Sequence, residues 1–140
     1  IQRCLLLSRR EHQEIQNISA SGWRDWWKGL HLAHNSADVP GLVAALTRAS
    51  YEYQGQKCSA ASRAFVPASI WPQVKEGMLA EIEKIKIGDI TDFTNLMGAV
   101  IDASAFKTNK EYIDYAKASE DAEVICGGYD DSKGYFIYRP

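Results

Sequence analysis

Leu30-His31-Leu32-Ala33-His34-Asn35-Ser36-Ala37-Asp38 opens on a short apolar run and closes on turn and N-cap residues, and a helical stretch follows from Val39 to about Tyr53. In that stretch Leu42, Ala45, Leu46 and Ala49 recur at helical spacing, and Pro40 falls in the first turn, where a helix tolerates it. The run reads as a strand feeding a helix. Gln54-Gly55 interrupts the pattern just before Cys58.

Outward from this unit, Ala64-Phe65-Val66-Pro67 reads as a short strand and Ser69 to Lys84 as an amphipathic helix. A loop through Gly88-Asp89 leads to a further helix from Asp102 to Ala118. Strands then return: Glu123 to Cys126 ends at Gly127-Gly128, and Tyr135 to Tyr138 follows the turn-rich Asp130-Asp131-Ser132-Lys133-Gly134. Strands alternating with helices predict an α/β domain with a largely parallel sheet flanked by helices. Residues 1–29 are different. They hold Arg9-Arg10-Glu11-His12 and then Trp23, Trp26 and Trp27 without a helical or strand period, so no regular element is assigned to them.

Composition narrows the partners. With 46% apolar and 24% charged residues, the 140-residue chain has the makeup of a globular domain. A formal charge of -2 with scattered Lys and Arg offers no basic face to nucleic acid. No apolar run approaches the roughly 20 residues that span a bilayer, and Cys4-Leu5-Leu6-Leu7 is too short for the apolar region of a signal peptide. The chain reads as soluble, with neither nucleic acid nor membrane as partner. It starts at Ile1 rather than Met and stops at Pro140 just after a strand-like run, so the expectation is a fragment. Cys4, Cys58 and Cys126 are odd in number, widely spaced and without a CxxC pair, which disfavours a disulfide framework and a zinc site and fits a reducing compartment.

Chemistry concentrates at Gln54-Gly55-Gln56-Lys57-Cys58-Ser59-Ala60, a polar, glycine-bearing break of the kind that presents a side chain to a cleft. A thiol becomes a good nucleophile near a cation or a helix N-terminus, and Lys57 with the backbone N–H groups ahead is expected to supply both. From chemistry alone two readings of Cys58 stay open, a nucleophile and a small buried hydrophobe.

Taken together, His31-Leu32-Ala33-His34-Asn35-Ser36-Ala37-Asp38, Tyr53-Gln54-Gly55-Gln56-Lys57-Cys58-Ser59-Ala60, Phe65-Val66-Pro67 and Gly98-Ala99-Val100-Ile101-Asp102 resemble, in order and spacing, signatures of the aldehyde dehydrogenase superfamily. Gly127-Gly128 and the run from Asp130 to Phe136 look like the strand and loop that come next in that family. GQxC is shared widely there, whereas QGQKCSA with GAVID resembles the narrower pyrroline-5-carboxylate (glutamate semialdehyde) dehydrogenases. The resemblance begins near Leu30 and covers a minor part of a family subunit. It implies that residues 30–140 are a partial catalytic domain of an NAD-dependent enzyme oxidising glutamate semialdehyde to glutamate in proline degradation. Cys58 would attack the aldehyde, and the hemithioacetal would pass hydride to NAD and become a thioester that water hydrolyses. Ser59 would lie near the substrate carboxylate, with capping of a helix starting there as its alternative. The dinucleotide fold and the side-chain oxyanion donor precede this segment in the family, so no residue here is assigned to the cofactor. The resemblance further implies a homo-oligomer when full length, in the mitochondrial matrix if eukaryotic and in the cytoplasm otherwise.

One stretch departs from the family. Its general-base Glu lies in a run like E-T-G-G-K-D-F, aligned here with Arg24-Asp25-Trp26-Trp27-Lys28-Gly29-Leu30. Arg cannot accept a proton at neutral pH, and indoles replace glycines that let backbone approach a ligand. Trp is encoded only by TGG, so reading one nucleotide later turns each of these tryptophans into glycine. The same shift allows Glu at Arg24 followed by Thr at Asp25, Lys at Lys28 and Asp at Gly29. The expectation is therefore that residues 1–29 are translated out of frame, with a diverged N-terminus as the alternative.

Other residues are read plainly. His31 and His34 fall on opposite faces of a strand, and no metal site is assigned. Cys126 ends an apolar strand, where a buried inert thiol is the favoured reading, and Trp71 lies on the apolar side of its helix with Val74, Met78 and Ile82. Three functions compete: the dehydrogenase part, a truncated or frameshifted product with no catalytic activity, and a thiol-reactive binding module built on Cys58.

Overall fold

The computed structural model describes residues 6–8, 29–130, 132 and 137–139. Its elements are β1 (Leu6–Ser8), β2 (Gly29–Leu32), α1 (Val39–Tyr51), β3 (Ala61–Phe65), α2 (Trp71–Glu83), α3 (Ala103–Ala118), β4 (Ala122–Val124), β5 (Gly128–Asp130) and β6 (Ile137–Arg139). Trp23, Arg24, Trp26, Trp27 and Cys4 lie outside the described residues, and so does the expectation about residues 1–29 except at 6–8 and 29.

Asp38 is the reason α1 starts where it does. Its backbone is extended and its Oδ2 accepts a hydrogen bond from the Gly41 N–H at 2.9 Å, satisfying one of the orphan donors of the first turn. Asp102 does the same for α3, accepting from the Ala105 N–H at 2.7 Å. α2 begins two residues later than its sequence pattern suggests, at Trp71, because the Ile70 and Trp71 N–H groups turn back onto the Pro67 carbonyl.

β2 and β3 pair in parallel, with His31 opposite Ala64 and Leu32 opposite Phe65, so β2–α1–β3 is a strand–helix–strand unit. This pairing pulls β3 upstream of the expected Ala64–Pro67 run. The α/β class is as expected. Among the described residues parallel pairing is confined to β2–β3 and a single bridge between Ile87 and Met97, while β1–β4 and β5–β6 are antiparallel. β1 is a strand ahead of Leu30, in a region with no strand period: the partner strand, not local propensity, makes it one. The same pairing moves β4 from Glu123–Cys126 to Ala122–Val124.

Apolar faces meet in separate clusters. Val43 and Leu46 of α1 pack on Val74 and Met78 of α2, with Val66, Ile70 and Trp71 around them. Leu46 is only 2% exposed, a burial that contributes about 2 kcal/mol. Val100, Phe106 and Ile113 seat α3, and Phe106 meets the Tyr129 ring edge-on at 6.0 Å. Tyr51, Ile82 and Met97, flanked by Ile85, Ile87 and Cys126, tie the ends of α1 and α2 to the segment before Gly98. On β2, by contrast, Leu30 and Leu32 are exposed.

Candidate active site

The end of α1 sets up the Cys58 turn. Helical geometry stops at Tyr51, and Tyr53, Gln54 and Gly55 all take positive φ, at 56°, 56° and 64°. Glycine adopts this left-handed region freely, but Tyr53 and Gln54 each cost about 1–2 kcal/mol there and need outside support. Gln54 supplies some of it. Its side chain is buried, and with the amide turned to satisfy its neighbours the nitrogen donates to the Tyr53 carbonyl at 2.9 Å while the oxygen accepts from the Gly98 N–H at 2.5 Å. The opposite amide orientation offers only a 3.4 Å contact from the Gln56 amide, so the two short bonds decide. Gln56 Oε1 accepts from the Ile101 N–H at 3.2 Å.

These bonds put Gly98-Ala99-Val100-Ile101 beside the thiol-bearing loop. A Cβ at Gly98 would lie 2.6 Å from Ile90 Cγ2, so that exposed side chain would have to shift, and 3.4 Å from the end of the Gln54 amide. The two motifs, more than forty residues apart in sequence, form one structural unit. In the sequence Gln54 and Gln56 stand only as parts of a signature, with no contact assigned to either. The signal that could have found them is the pair of amide side chains flanking a glycine at a helix break.

Cys58 sits on a turn closed by the Ala60 N–H on the Lys57 carbonyl, and both Cys58 and Ser59 are exposed. The turn leads into strand β3, not a helix, so no helix starts just after the thiol and Ser59 caps none. Backbone pairing with β2 claims this stretch: the Gly29 N–H donates to the Ala60 carbonyl at 3.1 Å. Gly29 approaches so closely that a Cβ would lie 2.8 Å from the Ser59 carbonyl oxygen. The charge of Lys57 is paired with a carboxylate. Its ammonium donates to Glu52 Oε2 at 2.7 Å, and that hydrogen bond, with the cation's charge, holds the Glu52 carboxyl below its ordinary value.

The second described thiol is unlike the first. Cys126 is half-buried against the Tyr51–Ile82–Met97 cluster, and burial pushes its thiol above the ordinary range. His34 Nδ1 lies 2.9 Å from Ser36 Oγ in the loop after β2, away from any metal-like grouping. Among the described residues no three His, Cys, Asp or Glu side chains are grouped to hold a metal ion, and no helix is long and apolar enough to cross a membrane. An open cavity of about 340 Å³ is lined by Gln56, Ile101, Asp102, Ser104, Thr108 and Asn109; neither Cys58 nor Ser59 lines it.

Residues 28–140 match the aldehyde dehydrogenase family. The mitochondrial delta-1-pyrroline-5-carboxylate dehydrogenases of Dictyostelium discoideum and Homo sapiens are 47% and 46% identical to this chain over 111 and 112 residues, each match covering 79% of the chain and 20% of the relative. The crystal structure of delta-pyrroline-5-carboxylate dehydrogenase from Mycobacterium tuberculosis bound with NAD superposes with a TM-score of 0.75 at 46% identity, over 81% of this chain and 21% of that one. Betaine aldehyde dehydrogenase from Staphylococcus aureus in complex with NAD+ gives 0.73 at 31% identity, over 80% and 23%. The chain thus spans about a fifth of the length of the curated relatives it matches.

Proposed function

Because this chain belongs to the aldehyde dehydrogenase family, we propose that it is part of an NAD-dependent dehydrogenase that oxidises glutamate semialdehyde to glutamate in proline degradation, with Cys58 as its nucleophile. The observation that carries the reading is the exposed Cys58 thiol, on a turn just after the left-handed residues Tyr53, Gln54 and Gly55. As thiolate, Sγ bonds to the aldehyde carbon while the carbonyl π pair moves to oxygen, giving the alkoxide of a hemithioacetal. Ser59, next in the chain and exposed, offers its hydroxyl to the substrate's carboxylate.

NAD is the oxidant that the family implies, and the described residues do not fit it. The β2–α1 connection, residues 33–38, has no glycine at which backbone could cradle a pyrophosphate, and the carboxylates of Asp38 and Asp102 already occupy the N-termini of α1 and α3. The dinucleotide belongs to another part of the subunit. The exposed Leu30 and Leu32 support the same division, since a parallel strand pair is ordinarily covered on both faces. A small aldehyde is the partner of the site, and the complete protein is a homo-oligomer. It resides in the mitochondrial matrix if eukaryotic and in the cytoplasm otherwise; the eukaryotic relatives are named mitochondrial.

A second reading, a product without catalytic activity, draws support from Arg24 at the position of the family's base. Expression of the chain with its flanking coding sequence separates the two. NADH formation from glutamate semialdehyde, lost in Cys58→Ala, supports the dehydrogenase; stop codons on either side, or activity that survives Cys58→Ala, sink it. The 140-residue chain by itself should form no NADH, because the base, the oxyanion donor and the dinucleotide site are each worth orders of magnitude.

A further inference from the structure

We infer that Gln54 and Gln56 are positioning residues: through their side-chain amides the Gly98–Ile101 backbone acts as the template that holds Tyr53, Gln54 and Gly55 left-handed and so fixes where Cys58 stands. The inference rests on the reading of Cys58 as nucleophile, and it adds residues that neither touch substrate nor titrate.

The backbone itself calls for such support. A helix that simply frayed after Tyr51 would not pass through three consecutive left-handed residues, two of them non-glycine. The turn persists only where its surroundings over-determine it. Gln54 does this from inside the bend. Its amide nitrogen is tied to the Tyr53 carbonyl and its oxygen to the Gly98 N–H, so one side chain spans the bend and the neighbouring segment. Gln56 ties the outgoing limb to Ile101. Met97, 2% exposed against Tyr51, anchors the template to the core at its near end. The N–H of Gln56 closes onto the Tyr53 carbonyl at 3.0 Å, so that carbonyl serves both limbs. Two residues beyond Gln56 comes Cys58, with Lys57 held away by Glu52.

The chemistry of the two glutamines differs, and the difference makes the inference testable. Gln56 only accepts, so a carboxylate can replace it. Gln54 must donate and accept, so a carboxylate cannot: one of its oxygens would face the Tyr53 carbonyl. Gln56→Glu should therefore behave like the parent, whereas Gln56→Met, Gln54→Met and Gln54→Glu should not.

The test uses the 140-residue chain and NMR. In the parent, Tyr53 and Gln54 should show the coupling and short intraresidue Hα–HN distance of positive φ, and the Gly98 and Ile101 amides should be protected from exchange. Gln56→Met should lose protection at Ile101 by about fivefold, the worth of one hydrogen bond, and move the Cys58 amide resonance, while Gln56→Glu restores both. Unchanged positive-φ signatures and Cys58 resonance in both methionine variants, with melting temperature retained, would overturn the inference. So would equal behaviour of Gln54→Glu and the parent. If a variant unfolds, the Gln56→Glu and Gln56→Met pair decides, since they differ only in the acceptor. In the extended subunit, Gln56→Met should lower kcat by roughly tenfold or more with KM little changed, and an unchanged kcat also overturns it. Activity that survives Cys58→Ala removes the nucleophile reading instead, and the NMR arm then still reports on the template.

Discussion

Lys57 donates to the Glu52 carboxylate across 2.7 Å, so the cation next to Cys58 in sequence is turned back toward the end of α1. The pairing reverses a natural inference from the sequence, in which a lysine beside a cysteine activates it.

Releasing that lysine should therefore change the thiol. Glu52 titrates below its ordinary value, so the pair is complete above the usual carboxylate range and is lost only as pH falls through the lowered value. At neutral pH the carboxylate is therefore charged and the pair is intact. Glu52→Gln frees the ammonium, and the initial iodoacetamide rate of Cys58 at neutral pH should rise by a factor of about 2–5. A rate that stays put would mean that Lys57 has no electrostatic part in the site.

Cys126 should answer differently. Because burial disfavours its thiolate, the folded thiol titrates higher than the unfolded one. The neutral thiol's contribution is complete below the ordinary thiol value and is lost as pH rises through the raised one. Brief, substoichiometric alkylation with mass mapping should label Cys58 before Cys126 at neutral pH, and melting temperature should fall in strong alkali less steeply in Cys126→Ala than in the parent. First labelling of Cys126 in the folded chain would contradict the assignment of Cys58.

Gly77 lies inside α2, where alanine ordinarily stabilises a helix by about 1 kcal/mol. Here a Cβ would sit 2.9 Å from Val43 Cγ2, a stiff β-branched neighbour on α1. Gly77→Ala should destabilise by about 1–2 kcal/mol instead. In a Val43→Ala background, where the obstructing methyls are gone, the same substitution should become stabilising. Thermal unfolding of the four variants of the cycle measures the coupling, and additivity would show that the helices absorb the extra methyl without strain.

The coding DNA tests the proposal that residues 1–29 are read out of frame. Read one nucleotide later, the codon of Arg24 must be AGA or CGA for glutamate to appear at the base position. Any other arginine codon removes the explanation and leaves Arg24 as a true loss of the base. The shifted frame also allows Asp at position 29, where a Cβ would lie 2.8 Å from the Ser59 carbonyl oxygen, so the backbone there would have to shift in the corrected chain.

Legibility in the sequence depends on the range of the interactions. Asp38 and Asp102 announce their helices because a cap acts within three residues, and Val74, Met78 and Ile82 announce the buried side of α2 because helical periodicity is local. Ser59 passes in sequence for a helix cap because the element after it is chosen by β2, thirty residues back, through backbone pairing that no local pattern encodes. The strand at Leu6–Ser8 is illegible for the same reason, its partner lying near Val124.

By itself, then, the sequence determined the α/β class, the capped and amphipathic helices and the polar break that carries Cys58, all of them consequences of spacing along a few turns of chain. Tertiary structure alone decided that the break would run left-handed, that Gln54 and Gln56 would reach Gly98 and Ile101, and that Lys57 would pair with Glu52 instead of the thiol. Those outcomes rest on which donors and acceptors the fold brings within hydrogen-bond distance, and on backbone strain that only such contacts can hold.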